Sequence, residues 1–142
     1  MTEDEAVSQI QWPAHPSVEA LAQEVARLSG FQQVTLHHLD MDTRDAAITG
    51  LTVARNGVAE IYVNPEIPLL NRRLTLLHEY AHVLYGDLTP AEECSTVHRA
   101  FATLDDPVEQ RAESLGMRLL TELRHREQST ELIQFIGGGF TA

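Results

Sequence analysis

The segment Leu74-Thr75-Leu76-Leu77-His78-Glu79-Tyr80-Ala81-His82 places an H-E-x-x-H pentad inside a leucine-rich run. Its apolar residues predict a largely buried helix over residues 69 to 85, with Gly86 as the stop. Residues four apart share a helix face, so both imidazoles can reach one metal ion, and Glu79 lies beside them. The pattern is typical of a catalytic zinc site in which Glu79 is the general base.

A catalytic zinc site usually has three protein ligands, so the pentad needs a partner from elsewhere in the chain. The metzincin continuation is excluded, because Tyr85 stands at its glycine position and Leu88 at its last histidine. Glu109 and Glu113 form an E-x-x-x-E pair on one face of a later predicted helix that also carries small residues. We predict that Glu109 is the third ligand and that Glu113 accepts a hydrogen bond from the far nitrogen of a ligand histidine.

Three alternatives compete with this assignment. Glu109 could complete a capping box, because Asp106 and Pro107 precede it at the start of the predicted helix. His98 could replace it in an all-histidine site, and the two pentad histidines could be core residues that bind no metal. The remaining histidines are interpreted as structural or surface residues: His15, His37, His38 and His125.

Composition limits the classes of partner and the compartment. The 142 residues are enough for one domain, 1–142, and the formal net charge of −11 argues against a direct nucleic-acid partner or an anionic membrane. The single Cys94 cannot form an internal disulfide, and the first residues show neither the basic start nor the apolar run of a signal peptide. We expect a cytoplasmic protein without a membrane span.

Periodicity and turn signals predict an α+β fold in which a small antiparallel three-stranded sheet lies beside the helices, a minimal zincin-like arrangement. Residues 1 to 16 are expected to be an irregular lead-in, and Ser17 to cap a helix that ends at Gly30. Asn56 and Gly57 predict a hairpin. The predicted strands cover residues 33–39, 47–55 and 58–64, a polar stretch covers 87–103, the last helix covers 107–126, and a loose tail covers 137–142.

The chain resembles the ImmA/IrrE family of gluzincin metallopeptidases over residues 17 to 120. Ile61-Tyr62-Val63-Asn64-Pro65 followed by the pentad helix is similar to that family's strand and "FTLAHELGH" helix. The segment beginning Glu109-Gln110-Arg111-Ala112-Glu113 is similar to its "ExxANxFAxxLL" helix. The departures are Ala81 for the usual glycine, Glu113 for the usual Asn or Asp, and Thr121-Glu122 for the Met-Pro that often follows the paired leucines.

The resemblance implies a regulatory, zinc-dependent metallo-endopeptidase whose ligands are His78, His82 and Glu109. Family members often cleave helix-turn-helix repressors encoded beside them, which implies a DNA-binding repressor as the protein substrate. Manganese or iron could occupy similar ligands. The alternative function is a non-catalytic, metal-stabilised module that binds a repressor or acts like part of a toxin–antitoxin pair.

Overall fold

The computed structural model describes residues 1–40, 48–90, 95–98 and 106–140. It contains helices and one sheet, which confirms the predicted α+β class. The helices are α1 (Glu3–Gln9), a short 3-10 turn (Glu19–Leu21), α2 (Ala22–Ser29), α3 (Leu69–Tyr85) and α4 (Pro107–Phe140). The strands are β1 (Gln33–His38), β2 (Gly50–Arg55), β3 (Val58–Val63) and β4 (Ser95–His98). No helix in these described ranges has both the length and the apolar character needed to cross a membrane.

The sheet has four strands in the order β1-β3-β2-β4, and it is mixed. The β2–β3 hairpin turns at Asn56 and Gly57, whose φ angles of 53° and 79° fit the turn that this pair predicts. The expectation of three antiparallel strands is wrong, because β1 runs parallel to β3. Residue alternation along a strand shows which face is buried but not which strand is the neighbour.

Strand β4 lies inside residues 87–103, the polar stretch that the sequence places between the last two predicted helices. It pairs antiparallel with β2, with His98 opposite Leu51. Four residues are too few for a period-2 pattern to be recognised, which explains why the strand was not predicted. The rest of that stretch lies partly outside the described residues.

The amino-terminal lead-in is partly helical, which corrects the prediction of an irregular segment over residues 1 to 16. Thr2 caps α1 by accepting a hydrogen bond from the Glu5 amide (3.1 Å), and the Glu5 carboxylate accepts one from the Thr2 amide (3.4 Å). This reciprocal capping box satisfies free amides at the helix start and offsets the weak helix preference of the first residues. Ser17 accepts a hydrogen bond from the Ala20 amide (3.0 Å), and α2 ends before Gly30 with a φ of 84°.

Helix α3 has the limits that the sequence predicts, and all its residues from Thr75 to Leu84 are buried. Helix α4 is longer than predicted, because it continues past Arg126 as far as Phe140. The loose tail predicted for residues 137 to 142 is therefore helical up to 140, and residues 141 and 142 lie outside the description. A glycine costs a helix only about 1 kcal/mol and does not end it without a left-handed cap.

Helices α3 and α4 pack closely where Gly116 meets the α3 backbone. A Cβ atom at Gly116 would lie 3.2 Å from the His78 amide nitrogen and 3.3 Å from its Cα atom. The flanking Leu115 and Leu119 are fully buried against the same core as Leu77 and Ala81. The absence of a side chain at 116 thus allows the two helices to bring their polar residues together.

Gly116→Val should force α4 away from α3, because backbone atoms on α3 cannot rotate out of the way. We expect the free energy of unfolding to fall by about 1–3 kcal/mol, the usual cost of overpacking. Met117→Val is the matched control, because Met117 is the exposed neighbour on the same helix. Urea denaturation of both variants measures the difference, and equal stabilities would contradict the close-packing argument.

Candidate metal centre

Three side chains from α3 and α4 converge on one point between the helices. His78 Nε2 lies 3.0 Å from His82 Nε2 and 2.7 Å from Glu109 Oε2, and His82 Nε2 lies 3.2 Å from Glu109 Oε1. Both histidines are buried, and the Glu109 side chain is 11% exposed. One nitrogen or oxygen atom from each of these side chains lies within 4.8 Å of the others, so the group could hold a metal ion.

The outer nitrogens of both imidazoles face carboxylates. His78 Nδ1 lies 2.9 Å from Glu113 Oε2, and His82 Nδ1 lies 2.7 Å from Asp87 Oδ2. An ionised carboxylate can only accept a hydrogen bond, so each Nδ1 carries a proton and donates it outward. When the imidazoles are neutral and protonated at Nδ1, the Nε2 lone pairs point inward, towards each other and towards Glu109. Positive charge between these atoms, from a proton donated to Glu109 or from a metal ion, would stabilise the arrangement.

The spacing of these atoms fits a small divalent ion. Zinc binds nitrogen and carboxylate oxygen at about 2.0–2.1 Å in a tetrahedron, which places neighbouring ligand atoms about 3.3 Å apart. The two Nε2 atoms and the nearest Glu109 oxygens lie 2.7 to 3.2 Å apart. Small side-chain shifts would therefore open the group to zinc dimensions, and two imidazoles with one carboxylate are a donor set that zinc accepts.

Asp87 is a component of the centre that the sequence analysis missed. Its Oδ1 accepts a hydrogen bond from Arg111 Nη2 on α4 (2.8 Å), while its Oδ2 accepts one from His82. The Arg111 guanidinium also lies 4.2 Å from the centre of the Tyr85 ring. The network links the end of α3 to α4 and fixes the orientation of the His82 ring.

The position of Asp87 follows from the way α3 ends. Gly86 has a φ of 75°, its amide bonds to the Val83 carbonyl (3.2 Å), and the Asp87 amide bonds to the His82 carbonyl (3.0 Å). These two bonds form a Schellman motif. The motif turns the chain back after Gly86 and so brings Asp87 next to His82. An Asp after Gly86 and five residues beyond His82 was therefore a usable signal in the sequence.

The electrostatic field at His82 favours positive charge. Burial disfavours the imidazolium, but the hydrogen bond that His82 donates to Asp87 and the carboxylates of Glu79 and Glu109 outweigh burial and raise the pKa of His82. A field that stabilises a proton also stabilises a metal cation in the same place.

Glu79 is fully buried between α3 and the sheet, one residue from His78. Its Oε2 accepts a hydrogen bond from Thr52 Oγ1 on β2 (2.7 Å), and Thr52 is fully buried as well. Gly50 makes room for this arrangement, since a Cβ there would meet the Thr75 methyl group and lie 3.5 Å from Glu79 Oε1. The carboxylate of Glu79 is thus held in one orientation beside the histidines.

The position of Glu109 bears on the two alternatives to its role as third ligand, a capping box at the start of α4 and a site in which His98 replaces it. Asp106 Oδ1 accepts a hydrogen bond from the Val108 amide (2.9 Å) and so caps α4. The carboxylate of Glu109 is directed towards the two histidines. The backbone of His98 lies on β4, and its side chain is outside the described part of the structure. The histidines interpreted as structural or surface residues are all exposed: His15, His37, His38 and His125.

Comparisons of the chain with protein-family models, with curated proteins and with solved structures find no significant match. The resemblance to ImmA/IrrE peptidases therefore stays a prediction carried by the motif residues. The geometry of the centre is independent of that resemblance, because it consists of distances within this chain.

Asp87→Asn should weaken zinc binding about 10- to 100-fold, the usual effect of losing a partner that orients a ligand histidine. Glu113→Gln should weaken it less, because Glu113 is 60% exposed and water can replace it, whereas the Asp87 side chain is 14% exposed. Competition with a chromophoric chelator measures both affinities. Equal effects, or none, would contradict the role assigned to Asp87.

Thr52→Val keeps the shape of the side chain but removes the hydrogen bond to the buried Glu79 carboxylate. We expect the metal-free protein to lose about 1–3 kcal/mol of unfolding free energy, the cost of withdrawing a donor from a buried acceptor. Thr52→Ser keeps the hydroxyl and should retain most of the stability. Chemical denaturation in the presence of a chelator is the measurement, and a Thr52→Val variant as stable as wild type would refute the interaction.

Proposed function

We propose that this chain is a zinc-dependent metallo-endopeptidase of the ImmA/IrrE type that acts in the cytoplasm on a protein substrate such as a helix-turn-helix repressor. The observation that supports it most is the inward convergence of three electron-pair donors, His78 Nε2, His82 Nε2 and a Glu109 oxygen, beside the oriented carboxylate of Glu79. The net charge of −11 is compatible with a basic DNA-binding partner.

The reaction assigns separate tasks to these residues. A bound zinc ion would acidify a water molecule and polarise the peptide carbonyl. Glu79 accepts the proton of the attacking water and passes it to the leaving amine, while the hydroxyl of Thr52 keeps the carboxylate in place. Asp87 and Glu113 hold the two imidazoles in the tautomer that turns Nε2 inward.

A second group is expected to stabilise the oxyanion, and the three tyrosines of the chain differ in their surroundings. The Tyr80 hydroxyl is buried and donates to the Val18 carbonyl (2.9 Å), so it is already engaged in the core. The Tyr62 hydroxyl donates to Glu60 (2.9 Å). Tyr85 lies on α3 near Asp87, with the Arg111 guanidinium over its ring.

A peptide substrate could pair with an edge of the sheet. Strand β3 offers no free edge, because it has β1 on one side and β2 on the other. Within the described ranges the edge strands are β1 and β4. We place the peptide along β4, because β4 borders β2, which carries Thr52 and so faces the catalytic carboxylate.

A non-catalytic, metal-stabilised binding module is the second candidate, and the burial of Glu79 favours it. The Glu79 side chain is fully buried, whereas a general base must meet its substrate. A peptidase would have to expose this carboxylate when the substrate binds. A module that only sequesters its partner would not need to.

Metal content is the first test of the proposal. Protein purified without a histidine tag should contain one equivalent of zinc or manganese per chain by elemental mass spectrometry, and His82→Ala should contain none. A folded wild-type protein that is free of metal and does not take up added zinc would refute the proposal and leave the histidines as core residues.

Glu79→Gln separates the two candidate functions. We expect this variant to keep its metal but to lose cleavage by at least about 100-fold, because general-base catalysis contributes roughly 10²–10⁴-fold. Intact-mass spectrometry after incubation with the helix-turn-helix protein encoded nearest to the gene detects cleavage. Wild-type protein that contains metal and binds this partner without cutting it would support the binding module instead.

A further inference from the structure

A second polar site lies at the amino-terminal end of α3, away from the metal centre. The pocket has a volume of about 170 Å³ and lies between this helix and the end of β1. Its basic residues are Arg72 and Arg73 on α3 and His37 and His38 on β1. It shares no residue with the group formed by His78, His82 and Glu109.

Arg72 and Arg73 differ in whether a carboxylate balances the positive charge of the guanidinium group. The Arg73 guanidinium forms an ion pair with Glu127 on α4 (3.7 Å). The Arg72 Nε atom is buried and has no hydrogen-bond partner, and among the described residues no carboxylate forms an ion pair with Arg72. In a chain with 21 acidic and 10 basic residues, a buried guanidinium nitrogen without an acceptor is unexpected, because it loses its hydration without compensation.

The residues that line the pocket indicate the size and polarity of a ligand that would fit. Leu36, Val63 and Leu76 supply apolar surface beside the guanidinium groups. The His37 ring is fixed as a wall, because it stacks on Tyr62 (4.8 Å between centroids) and its Nε2 lies 2.8 Å from Thr35 Oγ1. The volume is below the roughly 300–1,000 Å³ typical of drug-sized ligands, so the occupant must be small.

We propose that this pocket binds a carboxylate carried on a short branched apolar group, with Arg72 as its anchor. A planar guanidinium can form two parallel hydrogen bonds to one carboxylate, and a small rotation of the half-buried Arg72 side chain would turn its buried Nε towards that acceptor. Arg73 is paired with Glu127, and Glu19 also lines the pocket, so Arg72 is the guanidinium that remains for an anionic ligand. A fully polar anion such as phosphate would leave the apolar walls uncovered.

Two sources share this chemistry: a free branched-chain carboxylic acid and the carboxyl terminus of a peptide that ends in leucine. The probes are isovalerate and acetyl-Gly-Gly-Leu, each paired with its neutral amide, followed by ¹⁵N NMR of the whole chain. We expect the two acids to cause saturable shifts of the backbone N–H signals of Leu36, Val63 and Arg72. The neutral amide analogues of the acids should cause no such shifts. Tighter binding of the peptide acid would identify a polypeptide terminus, and binding of isovalerate alone would identify a free acid.

Arg72→Gln should weaken binding of the carboxylate about tenfold or more, as expected when a hydrogen bond to a charged group is lost. Arg55→Gln is the matched control, because it removes the same charge from an exposed residue at the end of β2, opposite Val58 and away from the pocket. Arg72→Lys keeps the charge without the planar fork and should bind with intermediate affinity, which preserves the test if the Gln variant does not fold.

Three results would overturn the proposal. The first is the absence of saturable shifts with either acid, and the second is equal binding of an acid and its amide. The third is an affinity unchanged by both Arg72 variants. None of these measurements requires zinc or proteolysis, so their outcome is independent of the proposed peptidase function.

Discussion

The Nδ1 protons of His78 and His82 are both committed to carboxylates outside the centre, Glu113 and Asp87 respectively. The position of these protons determines which imidazole nitrogen can donate an electron pair inside the centre. A neutral imidazole has one proton, so fixing it at Nδ1 leaves a lone pair at Nε2. With Glu109 facing both Nε2 atoms, the fold holds three acceptors together in a buried space, and their mutual repulsion is relieved only by positive charge.

The centre also depends on how closely α4 approaches α3. Gly116 removes the side chain at the contact, and Asp106 caps α4 so that Glu109 lies in its first turn opposite His78. Further contacts fix the helix from the other side. Ser114 donates to Glu3 of α1 (2.6 Å), and Arg118 pairs with Asp4. The amino-terminal helix thus contributes to the position of Glu109 without touching it.

Much of this arrangement could be predicted because the relevant signals are local. The limits of α3, the hairpin at Asn56 and Gly57, and the pairing of pentad histidines with a later Glu each follow from spacing along a helix or a strand. Features that depend on which elements lie next to each other in space could not be predicted from spacing along the chain. The parallel pairing of β1 with β3 and the four residues of β4 are decided by tertiary packing, which periodicity does not report.

Asp87 lies between these two cases. Its contact with His82 is set by a local motif at the end of α3, so the sequence contained the information. Its partnership with Arg111 depends on the packing of α4, which the sequence did not define. Glu79 is also only partly predictable. The pentad identifies the residue, but the hydrogen bond that orients its carboxylate comes from Thr52, which lies 27 positions earlier on β2.

The identity of the charge that fills the centre can be argued from geometry and electrostatics. One proton bridges two acceptors at most, so a single protonated imidazole would leave one of the three inward atoms uncompensated. A divalent ion contacts all three at once. Glu79, Glu109, Asp87 and Glu113 place four carboxylates around the two imidazoles, and Arg111 offsets Asp87 from outside. Because Glu113 is largely exposed and therefore screened, and Arg111 offsets Asp87, the buried excess is close to two negative charges, which fits the divalent cation proposed for the centre better than one proton.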